Sequence, residues 1–156
     1  MELLTQELLL QQSQIGHKIG SSEWTSIDQK RINAFAKITE DPQFIHIDPD
    51  KAKRQSPFGK TIAHGFLILS LASKFAIEVL PKTSLKIIRI NYGFNKIRFI
   101  HPVFVNSLVR GTFTLNTIEK KNERGLLQNF ELIIEIKETE KPALVGEWLM
   151  LTQFNE

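Results

Sequence analysis

Ile62–Pro81 reads "IAHGFLILSLASKFAIEVLP". A histidine-glycine step opens it, a proline closes it, and only Ser70, Ser73, Lys74 and Glu78 interrupt the apolar run between. Proline cannot continue a helix, so Pro81 is a stop. A helix apolar on most of its sides is predicted to be buried. The chain beyond Pro81 reads as strand. "SLKIIRINYGF" and "KIRFIHPVFV" come first. "SLVRGTFTLNTIEKK" then alternates Val109, Phe113 and Leu115 onto one face, and "GLLQNFELIIEIK" does the same with Phe130, Leu132, Ile134 and Ile136. "ALVGEWLMLTQF" closes the chain. Long antiparallel strands after one greasy helix predict an α+β fold: a curved antiparallel sheet wrapped around a long buried helix.

On the N-terminal side, Thr25 or Ser26 is a candidate cap for the helix "IDQKRINAFAKIT", with Asp28 in its first turn and Ala34, Ile32, Phe35 and Ile38 forming an apolar stripe. Asp41-Pro42 ends it. "DPDKAKRQ" predicts one or two helical turns starting at Asp48, and the segment to Ala63, with Pro57 and Gly59, reads as loop. "MELLTQELLLQQSQIG" predicts a short amphipathic helix with Leu3, Leu4 and Leu8 on one side. It has no basic start, so it does not read as a secretory signal. The division expected is a helical extension over 1–15 and one domain over 16–156. Trp24 and Trp148 are assigned to packing.

A chain of 156 residues fits one domain with a real core. The net charge of +3 comes from scattered basic residues, which argues against nucleic acid but leaves cations for an anionic ligand. Zero cysteines exclude disulfides and thiolate chemistry and are compatible with a cytoplasmic protein. No apolar run approaches the ~18 residues that span a bilayer.

The chemistry-bearing residues gather just before the greasy helix. "TEDPQFIHIDPD" brings Asp41, His46 and Asp48, and "IAHG" adds His64 and Gly65. A carboxylate and an imidazole around one water can move protons near neutral pH. From the residues alone, Asp41 as a turn cap and His46 as a packing residue stand level with that reading. Asp48, before a proline, reads as the cap of the next helix. Asp41, His46, Asp48 and His64 match no known metal-ligand spacing, so no metal is expected.

An acid, four residues, a histidine, then "ID" and later "IAHG" before an apolar helix resembles the MaoC-like hotdog-fold dehydratases, among them the (R)-specific enoyl-CoA hydratases. "SEW", "DPQFIHID", "IAHGFLILSL" and "INYGFNKIRF" resemble the NodN-like branch, and the resemblance covers roughly Gly16 to Val109. Two departures stand out. Glu40 stands where the wider family commonly has glycine, and Gln43-Phe44 where it commonly has Asn-Pro.

The resemblance implies a single hotdog domain, a cytoplasmic homodimer, and reversible addition of water to a trans-2-enoyl thioester to give the (R)-3-hydroxyacyl product. The acyl-CoA or acyl-carrier-protein thioester is the substrate, and no cofactor is implied. Asp41 and His46 are the implied catalytic pair. The Gly65 N–H, at a helix start, is the expected oxyanion donor, because amides there are unpaired. His64 is expected to orient that loop. Gln43, Ser73, Asn95 and Arg98 are further candidates for lining the site, with Lys53, Arg54, Lys60 and Lys96 as candidate contacts for CoA phosphates. The alternatives on the same fold are an acyl-CoA thioesterase and a non-catalytic acyl-CoA-binding protein.

Overall fold

The computed structural model describes residues 2–82 and 86–155, except for the side chains of residues 2 and 3. Leu3 of the expected amphipathic face and Ser84-Leu85 of the first expected strand therefore lie outside the described residues. Six strands, β1 (Lys18–Ser21), β2 (Thr25–Ile27), β3 (Ile87–Phe99), β4 (Ser107–Asn122), β5 (Gly125–Ile136) and β6 (Leu144–Phe154), form one sheet. Its order is β1-β4-β5-β6-β3, with β2 also paired to β4, and every pairing is antiparallel. Helix α1 (Glu2–Gln12) precedes the sheet. Helices α2 (Gln29–Thr39), α3 (Phe44–Ile47), α4 (Pro49–Gln55), α5 (Gly65–Ser70) and α6 (Ala72–Val79) lie between β2 and β3.

The alternation in β4 and β5 sets the core. Val109, Phe113, Leu115, Phe130, Leu132, Ile134 and Ile136 are all buried. Trp148 joins them from β6, packed 6.1 Å from Phe113, and its indole N–H donates to Asn91 Oδ1 at 2.7 Å. Phe75 of α6 enters this core directly above Gly111 of β4. A Cβ there would fall 2.8 Å from the Phe75 side chain, so glycine is what lets helix and sheet approach. Leu4 of α1 belongs to the same core. Gln11 ties α1 down through a chain of amides: Gln128 donates to it at 2.8 Å, and Thr152 donates to Gln128 at 2.7 Å.

Three expectations are corrected. The long helix is broken at Leu71. The Ser70 hydroxyl donates to Leu67 O, and the Leu71 N–H turns to Ile68 O instead, which tightens the turn and separates α5 from α6. Nor is the run buried on most sides, since Phe66 is 69% and Ile77 74% exposed. Second, Thr25 and Ser26 belong to β2, and Asp28 caps α2 by accepting from Arg31 N at 2.8 Å. Third, the two strands expected around "NYGFN" are one strand, β3. Its bulges between Asn91 and Gly93 and between Phe94 and Lys96 absorb the turn-like residues without ending the ladder. The expected cap at Asp48 is present, accepting from Lys51 N at 2.8 Å.

Candidate active site

The loop from α2 into α3 is shaped by Glu40. Its backbone is left-handed (φ 57°), and its N–H and that of Asp41 both return to Ala36 O. This closes α2 and releases Asp41 from the helix axis. One turn on, α3 carries His46 inward. The strand-like segment before α5 meets it: Ile62 N donates to Ile45 O at 3.0 Å and Ala63 N to Val103 O at 2.8 Å. His64 is thereby delivered onto His46, and the two imidazoles stack with centroids 3.7 Å apart and planes at 23°. Phe35 of α2 closes the other side of His64 at 5.1 Å.

The hydrogen bonds fix the tautomers. His46 Nδ1 lies 2.8 Å from Ile62 O, which can only accept, so Nδ1 carries the proton and Nε2 the lone pair. His64 Nε2 lies 3.0 Å from Asp41 O, so it donates there, and it stands 3.9 Å from Asp41 Oδ2. Ligating atoms of Asp41, His46 and His64 all fall within 4.8 Å of one another. His46 is 7% exposed, and the Asp41 side chain, at 46%, faces solvent. Burial pushes the His46 imidazole below its usual range. The Ile62 carbonyl and the Asp41 charge oppose that, and the His64 ring adds to it.

This trio is a poor metal site. Lone pairs lie in the ring planes, and planes only 23° apart at 3.7 Å separation cannot both aim at one ion. Proton transfer suits it better, with an exposed carboxylate beside an imidazole whose free nitrogen is Nε2.

Gly65 begins α5, with Leu67 and Ile68 donating back to His64 O; among the described residues the Gly65 N–H has no acceptor. Its φ is not left-handed. What crowds a side chain here is Phe99, whose half-exposed ring would stand 2.9 Å from a Cβ at this position. Gly65, Phe66, Ile68, Phe99 and Ile100 line an open apolar cleft of about 370 Å³; of the expected site residues only Gly65 lines it. A better enclosed cavity of about 350 Å³, under α1 between Leu80, Ile87, Arg89 and Phe130, holds none of the expected site residues and lies at the other end of β3.

The remaining candidates disperse. Gln43 is exposed and uses its backbone oxygen to start α3, with no side-chain cap bond. Ser73, expected inside the helix near the pair, is instead exposed on α6, where it borders a small cavity of about 120 Å³ with Arg89 and Trp148. Asn95 and Arg98 are exposed on β3, and Arg98 donates to Ile97 O. Lys53, Arg54 and Lys60 are exposed on and after α4, and Lys96 lies 3.5 Å from Glu147.

The structure adds two residues that the sequence did not single out. Gln29 donates to His46 O at 2.7 Å, and the buried Thr61 donates to Gln29 Oε1 at 2.6 Å, so a relay from α2 to the loop before α5 holds the His46 backbone. The buried polar Thr61 directly before "IAHG" was the available signal; nothing in residue type marks Gln29.

Comparison with known proteins bears on the same segment. The family model described as "MaoC like domain" matches residues 11–131. This chain belongs to the MaoC-like dehydratase family. Nodulation protein N of Rhizobium meliloti (strain 1021) is 43% identical over 143 residues, covering 92% of this chain and 89% of the relative. The 3-hydroxyacyl-thioester dehydratase Z of Mycobacterium tuberculosis (strain ATCC 25618 / H37Rv) is 40% identical over 132 residues, covering 85% and 86%. Among solved structures, the (R)-hydratase from A. caviae involved in PHA biosynthesis superposes with a TM-score of 0.71 at 24% identity, over 87% of this chain and 94% of that one, which shows the shared hotdog fold.

Proposed function

We propose that this MaoC-like protein is an (R)-specific enoyl-thioester hydratase, adding water reversibly to a trans-2-enoyl-CoA to give the (R)-3-hydroxyacyl-CoA. The observation that carries the reading is the pairing of a solvent-facing Asp41 carboxylate with a buried His46 whose Nε2 is left free by the bond from Nδ1 to Ile62 O. The 40% identity to a 3-hydroxyacyl-thioester dehydratase supports it.

In this reading one water sits between Asp41 and His46. As its oxygen bonds to C3, its proton passes to the pair. A proton from the pair reaches C2, and the charge that collects on the thioester oxygen meets the unpaired Gly65 N–H. The two groups titrate as a coupled pair, so base and acid are properties of the pair. The acyl chain enters the apolar cleft between Phe66 and Phe99. Exposed Lys53, Arg54 and Lys60 face the phosphates of CoA or an acidic carrier protein. The chemistry draws on no cofactor. The enzyme works as a homodimer joined along β3, an edge strand whose outer side is open and which exposes Ile88, Ile90 and Tyr92.

The test mixes the protein with crotonyl-CoA and follows conjugated absorbance and free thiol together. Loss of absorbance without thiol is the expected result. Thiol release identifies a thioesterase, and silence in both identifies a binding protein.

A further inference from the structure

His64 has an unusual balance of contacts. It is 3% exposed, its Nε2–H donates to the Asp41 backbone oxygen, and its ring face lies on His46. Its Nδ1 is buried without any hydrogen-bond partner. The titratable groups acting on His46 are His64 and Asp41, and Phe35 on the far side of His64 is apolar.

We propose that His64 is a positioning residue for the Asp41–His46 pair. One nitrogen holds the Asp41 backbone, and the ring face holds and dries the His46 imidazole. The inference rests on the hydratase reading for its consequence in turnover, but not for its consequence in protonation. Loss of the ring re-wets His46, so the pH at which His46 gains its proton rises. Loss of the donor releases Asp41 and lowers turnover without moving that pH.

Two substitutions separate these effects. His64→Gln keeps a donor at the Nε2 position and removes the stack. His64→Phe keeps the stack and removes the donor. For His64→Gln, the limb of the kcat/KM profile that reports His46 moves up toward the ordinary histidine value of about 6.5. For His64→Phe that limb stays in place, while kcat falls by roughly 10- to 100-fold with KM little changed, as misplacement of a reacting group does. Imidazole NMR titration gives a readout free of activity: His46 of the wild-type protein titrates below the ordinary range, moves up toward it in His64→Gln and stays in place in His64→Phe. Profiles of both variants that overlay the wild type, or a His46 titration that does not move in His64→Gln, would overturn the proposal. A wild type inert toward crotonyl-CoA whose His46 titrations are as described would remove the hydratase reading and leave the positioning of His46 standing.

Discussion

Glycine at position 65 serves a contact, and this reshapes what a substitution does there. In Gly65→Ala the new methyl meets the Phe99 ring at 2.9 Å, and the half-exposed ring must swing aside to admit it. If the Gly65 N–H stabilises the enolate, turnover per folded molecule falls by roughly 10²–10³. Shortening the obstacle in the same chain, as Phe99→Ala, recovers part of it. Wild-type turnover in Gly65→Ala removes this amide from the mechanism. Asp41→Asn and His46→Gln are each expected to cost about 10²–10⁴ in rate while leaving the melting transition near its wild-type position. A folded Asp41→Asn enzyme as fast as the wild type ends the assignment. His46 also couples stability to pH. Burial holds its folded-state pKa below the unfolded value, so between the two values the unfolded chain carries the extra proton. Stability is therefore full above about pH 6.5 and declines as pH falls through the interval down to the folded pKa. Denaturant midpoints across pH 5 to about pH 7.5, compared with His46→Gln, isolate this contribution; parallel curves for the two proteins exclude it.

At the scale of elements, the parts that the sequence made legible are those governed by period and punctuation. Val109, Phe113 and Leu115 alternated where β4 formed, and Pro81 stopped the helical run after Val79. The acid-histidine spacing put Asp41 and His46 in one short segment, and the fold brings their side chains together. What stayed hidden depends on competition between local groups. The break at Leu71 turns on one serine hydroxyl capturing Leu67 O, and the continuity of β3 turns on bulges that leave Tyr92 and Asn95 out of the ladder. The relay from Thr61 through Gln29 joins residues far apart in the chain, so no local pattern announces it. Glu40 shows the two kinds of information meeting. It departs from the glycine common in the family, yet the helix end keeps the left-handed turn that glycine favours. Glu40→Gly should therefore raise stability by about 0.5–1 kcal/mol, the left-handed strain relieved less the extra chain entropy. Urea unfolding measures it, and a destabilised variant would show that the Glu40 side chain contributes more than its backbone costs.

For the molecule as a whole, the open edge of the sheet is the dominant fact. Ile88, Ile90 and Tyr92 of the edge strand β3 are exposed, and Ile77 of α6 borders one small cavity with Ile90. Ile90→Lys places a charge on that edge and is expected to yield monomers by sedimentation with sharply reduced hydratase activity. An Ile90→Lys protein that remains dimeric, or a wild type active as a monomer, rules out this mode of assembly. The same strand has a consequence in time. β3 is held in the sheet by β6 alone, and β6 is the last strand of the chain. As the polypeptide leaves the ribosome at about 5–20 residues per second, β4 and β5 can zip into a hairpin as soon as they emerge, while β3 waits several seconds for its neighbour. Through that interval both of its edges are bare and it carries Ile87, Ile88, Ile90 and Tyr92. The newborn chain is thus most vulnerable to sticking along the segment that the proposed dimer would cover.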